Sequence, residues 1–423
     1  MKINLVKYDL FKKQNVVSFN SRTVLNTNKS DTISFGNRSH NRKKDIPAPL
    51  HSLFKALPKA ETHLHLSGST PIGYVKEILK EEGLPKERII EETKIANSFV
   101  SLEDFLKTYY RVTRPIQSTK HFREASYQIC MEAAKENVKY LEIRTGLLNK
   151  KETPQEILQS VADGINQAKQ KLASKGFNQT AKIIVLAQRT GTTADSLAHA
   201  KIATEAIKRP ESLVVGFDIA GDEAKVPAYV HAEAIKYAKD HGVKVTLHAG
   251  ETPKSGDLTA AESIKNCIDL GADRLGHAVH IFDDPAVLKE VVDKQIPVES
   301  PPKSNIQTKA VKSYSKHPIK DMLNANVNVS VASDNRTISK TNITNEFEEL
   351  YKHNVINNWT DIKKLVMNGV NSIFAPENEK KALVAEFEKS LKTIESNKFY
   401  QGVINNYLTP ENNVYQTQKL KSA

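Results

Sequence analysis

Two histidines spaced by one residue, His63-Leu64-His65, close a short stretch that reads as a strand. Side chains alternate along a strand, so both imidazoles would share a face and could converge on one metal ion. A second pair, His248 and Glu251, follows the apolar run from Val243 and encloses Ala249-Gly250. An imidazole ligand beside a carboxyl proton carrier is a combination that hydrolytic metal sites use. Gly276-His277 and Ser333-Asp334-Asn335 close two more strand-like segments. Each motif alone is weak, because isolated His/Glu pairs are more often structural or solvated. Four histidines and two carboxylates at the ends of four strands fit core packing poorly and a metal site well.

The ligand chemistry follows from the residue types. His63, His65, His248 and Asp334 offer three neutral nitrogens and one carboxylate without thiolate, leaving a position for water; the set suits a single zinc ion. Metal binding would lower the pKa of that water from ~15.7 towards ~7. His277 is expected to accept a proton from the water and orient it, while Glu251 faces the substrate as general acid. The segment Asp218-Ile219-Ala220-Gly221-Asp222-Glu223 contains no lysine. A bridging carbamylated lysine is therefore unavailable there, which favours one metal over two. Gly221 would let a ligand approach the backbone closely.

The elements that must position these groups recur in a regular order. Strands are predicted at Ala60–His65, Tyr140–Thr145, Lys182–Ala187, Leu213–Ile219, Val243–His248, Arg274–His277, Ile296–Glu299 and Val327–Ala332. Helical periodicity fills the intervals, at Glu124–Glu136, Pro154–Ser174, Thr193–Lys208, Tyr229–Asp240, Leu258–Leu270, Pro285–Lys294 and His317–Asn324. Eight alternations of strand and helix predict an α/β fold, a (β/α)8 TIM barrel, whose chemistry should sit at the carboxyl ends of the strands. The first connection, about 75 residues from His65 to Tyr140, is too long for one crossover and should hold extra helices. One of these, Ser101–Tyr110, places Phe105, Leu106 and Tyr109 on one side, an apolar wall for a flat ligand or a helix-packing face. Closing helices are expected at Asn345–Lys352, Trp359–Asn371 and Glu377–Ser396. The catalytic domain is thus placed at 50–400, with a flexible tail over 404–423.

Bulk properties exclude several classes. The 423 residues contain no run of 18 apolar residues, which excludes a helical membrane span. Only Cys130 and Cys267 are present, far apart and without metal-ligand spacing, which favours a reducing, cytoplasmic compartment. The net charge of +12 is concentrated in residues 1–45, with ten Lys/Arg and three Asp; the rest has 51 basic and 46 acidic residues. That segment, poor in apolar residues and rich in Asn, Ser, Lys and Arg, is expected to be a disordered basic extension. The remainder lacks the basic, aromatic face of a nucleic-acid reader, so neither nucleic acid nor membrane is an expected partner.

At this level of detail the chain resembles the adenosine deaminase family of metal-dependent hydrolases, from about Leu53 to Phe399. The matching segments begin with Leu57-Pro58-Lys59-Ala60-Glu61-Thr62-His63-Leu64-His65-Leu66, Tyr140-Leu141-Glu142-Ile143-Arg144 and Val215-Gly216-Phe217-Asp218-Ile219-Ala220-Gly221-Asp222-Glu223. They continue through His248-Ala249-Gly250-Glu251, Arg274-Leu275-Gly276-His277, Ser304-Asn305 and Ser333-Asp334-Asn335. Ordered matches at most strand ends make the signal specific. It implies hydrolytic removal of an exocyclic amine from a purine, with one zinc held by His63, His65, His248 and Asp334. Glu251 resembles the donor of a proton to ring N1, His277 the residue that positions the attacking hydroxide, and Gly221 the backbone that meets N3. Asp334, touching the same water, is placed to receive its proton. The PCxxC segment that completes the zinc site of cytidine deaminases is absent.

Three departures stand out. Ser67 replaces the aspartate that usually binds the ribose 5′-hydroxyl, and Asn335 replaces the second aspartate of a pair while remaining able to donate to N7. Pro301-Pro302-Lys303-Ser304-Asn305 replaces a Cys-Pro-Thr-Ser-Asn segment, which alters loop packing. The expected reaction is conversion of adenosine and 2′-deoxyadenosine to inosine and 2′-deoxyinosine plus ammonia. The serine at position 67 keeps open a 5′-modified or other adenine compound, such as AMP, methylthioadenosine, aminodeoxyfutalosine or adenine itself. A non-catalytic, zinc-containing binding protein is a more distant alternative. The expected partner is a small purine nucleoside; a monomer would suffice, and the sequence leaves the oligomeric state open.

Overall fold

The computed structural model describes residues 46–147 and 151–409. The expected basic extension (1–45) lies outside them, as does the tail beyond 409. Eight parallel strands form one sheet in sequential order. They are β1 (Lys59–His65), β2 (Val138–Thr145), β3 (Thr180–Gln188), β4 (Val214–Ala220), β5 (Lys244–Ala249), β6 (Arg274–His277), β7 (Val298–Ser300) and β8 (Val329–Val331). Helices surround them, as in a (β/α)8 barrel. The predicted strands agree with these to within about two residues.

The sequence explains the helices locally. Thr153, Thr192 and Thr259 each accept from the backbone three residues on, while Glu156, Asp195 and Glu262 reach back in a capping box. Pro154 and Pro285 stand at first helical positions, where the missing N–H leaves no bond unmade. The long first connection holds five helices, Leu66–Ser69, Ile72–Glu81, Lys86–Glu92, Leu102–Thr113 and Thr119–Lys135.

At its ends the structure holds two helices that the sequence reading did not predict. A helix at Ala48–Ala56 precedes β1 and buries Leu50, Leu53 and Phe54. The chain does not fray from about 404: the helix Lys398–Tyr407 continues past that point, and Leu408 is buried. Its amphipathic pattern is short, and packing of Val403 and Leu408 rather than propensity holds it.

The barrel is not closed by a ladder between β8 and β1. Asp334 closes it, donating its N–H to His63 O and accepting the His65 N–H, each at 2.9 Å. Asp334 adopts φ +59°, as does His277 at +64°; left-handed backbone at residues other than glycine is uncommon and collects at functional sites. Inside the barrel, below its carboxyl end, lies an ionic layer instead of aliphatic side chains. Arg144 bridges Asp218 and Glu299, each at 2.8 Å. Arg274 pairs with Glu142 and, at 2.6 Å, with Glu299. All five side chains are buried; burial of charge on this scale requires such mutual pairing.

Candidate active site

His63 ends β1 inside the barrel with both ring nitrogens buried. Its Nδ1 lies 2.7 Å from Glu299 Oε2. Its Nε2 has no hydrogen-bond partner among the described residues. A carboxylate at Nδ1 fixes the tautomer with the proton on that nitrogen, leaving Nε2 as a bare lone pair. His248, at the end of β5, repeats the arrangement with Nδ1 3.2 Å from Asp218 Oδ1. The free nitrogens face one another: His65 Nε2 is 3.3 Å from His248 Nε2 and 3.2 Å from Asp334 Oδ1, and His63 Nε2 is 3.6 Å from the same oxygen.

Three lone-pair nitrogens and a carboxylate oxygen aimed at one another, one of them an orphaned buried atom, fit a divalent metal. Without an ion such a cluster leaves buried acceptors unpaired. The charge states are mixed: against burial, the Asp334 and Glu299 carboxylates raise His63, while the other two rings are lowered. Burial, opposed by Asp334, holds His65 well below the usual imidazole value, and burial likewise lowers His248. Burial also works against ionising Asp334, but the surrounding imidazoles, His63 and His65 foremost, hold its carboxyl well below the carboxylate range. His63, His248 and His277 also lie within metal-sharing distance of one another.

Glu251 follows β5 on a loop pinned from behind. The Glu223 carboxylate accepts the backbone N–H groups of Gly250 at 2.7 Å and Glu251 at 2.8 Å, and the Ser263 hydroxyl at 2.7 Å. Gly250 has φ +63°, and a side chain there would strike Ile264. The Glu251 carboxyl, buried and close to the charges of Asp334 and Glu223, is pushed well above its ordinary pKa. These surroundings favour its protonated form. His277 Nε2 lies 3.8 Å from Glu251 Oε2, and burial with neighbouring imidazoles pushes this ring down to about 3. A carboxyl biased towards its acid form and a neutral imidazole thus face the same space.

The cleft above these groups is lined by the predicted residues Phe105, Leu106, Tyr109, Gly221 and Asn335. Gly221 has φ +121°, and an added Cβ would sit 3.0 Å from Gln188 Oε1. Asn335 Nδ2 donates to Asp334 Oδ1 at 2.7 Å. Phe105 serves both readings offered for it: it packs edge-on against Phe99 and also reaches the cleft. Ser67 is different. It is half-buried on the short helix Leu66–Ser69, outside the cleft lining, and its hydroxyl bonds to Tyr109.

Sequence reading missed the carboxylates behind the metal cluster, Asp218 and Glu299, and the cleft residues Leu102, Tyr110, Gln188 and Ala220. The signal for the first two was available: an acid inside a buried strand requires a partner.

Comparison with known proteins agrees with this geometry. Residues 58–390 match the family model described as adenosine deaminase. A Clostridium perfringens protein named adenosine deaminase is 33% identical over 336 residues, covering 77% of this chain and 97% of that relative. Among solved structures, an Arabidopsis N6-mAMP deaminase superposes with TM-score 0.71 at 24% identity, covering 80% and 99% of the two chains. An amidohydrolase from Burkholderia ambifaria with bound zinc gives 0.70 at 20% identity, covering 84% and 98%. At those identities the two structures speak for the fold. By the family match and the sequence relatives, the chain belongs to the adenosine deaminase family, hydrolytic deaminases that act on C–N bonds.

Proposed function

We propose that this chain is a zinc-dependent deaminase converting adenosine and 2′-deoxyadenosine to inosine and 2′-deoxyinosine, with release of ammonia. One observation supports this most: Glu251, in surroundings that favour its acid form, and His277 border the cluster of His63, His65, His248 and Asp334. In this reading His63, His65, His248 and Asp334 hold the metal, within a catalytic domain spanning about 50–400. When bound, zinc lowers the pKa of water towards ~7 and so supplies a nucleophile at neutral pH.

The chain's own groups do the rest. Glu251 donates its proton to purine N1, which draws electrons from C6 and opens it to attack. His277 holds the attacking water through Nε2. The water oxygen bonds to C6 as Asp334, an acceptor at neutral pH, takes one of its protons and passes it to the amine; the C6–N bond then breaks to release ammonia, and the oxygen's second proton returns to Glu251 as the C6 carbonyl forms. Gly221 offers its backbone to N3, Asn335 its amide to N7, and Phe105, Leu106 and Tyr109 cover the sugar and ring.

Charge separates the candidate substrates. No lysine or arginine lines the cleft among the described residues, and Lys225 is engaged by Asp222 at 3.0 Å and Glu103 at 3.2 Å. A 5′-phosphate buried there would lack a counter-charge, so an uncharged nucleoside is favoured over AMP. A second reading, an adenine nucleoside with an apolar 5′ group such as methylthioadenosine, is favoured by the wall of Leu102, Phe105 and Leu106. The decisive experiment compares kcat/KM of zinc-loaded protein for adenosine, methylthioadenosine and AMP by ultraviolet absorbance and ammonia release. Preference for adenosine is expected. Preference for AMP would overturn the assignment, and preference for methylthioadenosine would establish the second reading.

A further inference from the structure

His277 differs from His63 and His248, whose Nδ1 atoms each face a carboxylate. It faces Asn305, with Nδ1 2.6 Å from Asn305 Oδ1. Asn305 lies in turn 3.0 Å, through Nδ2, from Nε2 of His317. The Nδ1 of His317 receives the backbone N–H of Ile319 at 3.4 Å. His277, Asn305 and His317 are all buried. Four groups from three segments, the end of β6, the helix Pro302–Gln307 and the start of the helix Ile319–Asn324, thus form one chain of contacts leading out of the site.

The polarity of this chain is decided at its far end. A backbone N–H can only donate, and the Ile319 N–H opens a helix, so no intrahelical carbonyl awaits it. Burial pushes His317 down to about 3, so its ring is neutral and carries one N–H. An asparagine amide can turn over about its last torsion, exchanging donor and acceptor with no other heavy atom displaced. If Asn305 directs its NH2 at His317, the imidazole proton must sit on Nδ1, where it meets the Ile319 N–H, donor against donor. With the amide turned over, every contact is satisfied. Ile319 N–H donates to Nδ1 of His317, Nε2–H of His317 donates to the Asn305 oxygen, and the Asn305 NH2 donates to Nδ1 of His277. The remaining proton of His277 is then on Nε2, facing the cleft.

We propose that His317, acting through Asn305, is a positioning residue that fixes His277 in the tautomer presenting Nε2–H to the active site. His277 then holds the attacking oxygen by donating a hydrogen bond and cannot itself take a proton from it while neutral. The proton of the water passes to the Asp334 carboxylate instead, a step that rests on the function proposed above. This replaces the role of proton acceptor expected for His277 from its residue type, which ignored what stood behind the ring.

Two measurements test the proposal. Long-range proton–nitrogen correlation spectra of zinc-loaded protein labelled with 15N-histidine, with His277 assigned from a His277→Ala spectrum, report which ring nitrogen carries the proton. Protonated Nε2 and bare Nδ1 are expected; the reverse tautomer, or an imidazolium, overturns the proposal. The spectrum is taken on resting protein, so its outcome is independent of which substrate is turned over. In kinetics, His317→Leu should lower kcat by about 10–100-fold, the usual loss when an outer partner of a catalytic ligand is removed, with KM and zinc content unchanged. His317→Gln, which keeps an amide within reach of Asn305, should recover most of that loss. A folded Leu variant with full kcat, or a Gln variant no better than Leu, overturns it. Should the Leu variant fail to fold, the wild-type spectrum and the Gln variant still decide.

Discussion

His65 and Asp334 meet twice. The His65 backbone N–H donates to the Asp334 carbonyl at 2.9 Å, and the His65 ring Nε2 lies 3.2 Å from the Asp334 carboxylate. The first contact closes the barrel between its last and first strands; the second joins two of the proposed metal ligands. Barrel closure and assembly of the site are therefore one event, and neither residue reaches its working position until the seam forms.

Asp334→Asn separates those two roles. Asparagine adopts left-handed backbone readily, and the backbone bonds to His63 and His65 do not involve the side chain. The variant should fold with a far-ultraviolet spectrum like that of the wild type. It should surrender zinc to a chelator concentration that wild type withstands, with turnover lost in parallel. Metal analysis after dialysis reads the result; a variant that keeps its zinc and its activity contradicts the ligand role.

Removing the proton donor should leave the metal untouched. Glu251→Gln keeps the shape, and the backbone bonds to Glu223 persist, because Glu223 contacts only the main chain of residue 251. We expect kcat to fall by about 10²–10⁴-fold, the range for loss of a positioned acid, with stoichiometric zinc. Steady-state kinetics beside metal analysis makes the comparison.

Glu299 joins the histidine cluster to the ionic layer, accepting from His63, Arg144 and Thr246 and pairing ionically with Arg274. Glu299→Gln leaves the two arginines facing only Glu142 and Asp218. Breaking a buried network in this way costs about 3–5 kcal/mol, to be read by denaturant unfolding. Zinc affinity should fall about 10–100-fold as His63 loses its carboxylate partner. A variant with wild-type stability and metal affinity would remove Glu299 from this account.

Away from the site, Glu346 predicts a pH dependence of stability. Its buried carboxyl is pushed up to about 8 by desolvation, against the pull of hydrogen bonds from Thr341 and the Lys303 N–H. A carboxyl raised in the fold contributes stability below its unfolded pKa, and that contribution is lost as pH rises through about 8. Buried Lys59, lowered to about 7, acts with the opposite sign, losing its contribution as pH falls. The test is therefore the difference between proteins: from pH 6 to 9, Tm should fall more in wild type than in Glu346→Gln. Parallel Tm profiles would refute it.

Much of the fold was legible because its signals are local. A strand buried on both faces reads as an apolar run, a helix as a period near four with Thr or Pro at its start, and eight alternations admit few architectures. The ends were less legible. The helix Ala48–Ala56 is short, and the one at Lys398–Tyr407 is held by contacts of Val403 and Leu408 that no local pattern announces. Ser67 shows the same limit at the site: its place in the motif suggested a sugar contact, while the structure sets it beside Tyr109, outside the cleft lining.

By itself the sequence determined where the residue types able to do chemistry fall: His63, His65, His248, Glu251, His277 and Asp334 sit at strand ends, and a barrel gathers its strand ends at one mouth. What only the tertiary structure decided is the state in which they arrive. His63 and Glu299 lie 236 residues apart, His248 and Asp218 30, Asn305 and His317 12. Those contacts set what stands behind each ring and so bias which of its nitrogens is bare. Protonation depends on burial and on the partner a few ångströms away, and chain order does not specify either until the barrel closes.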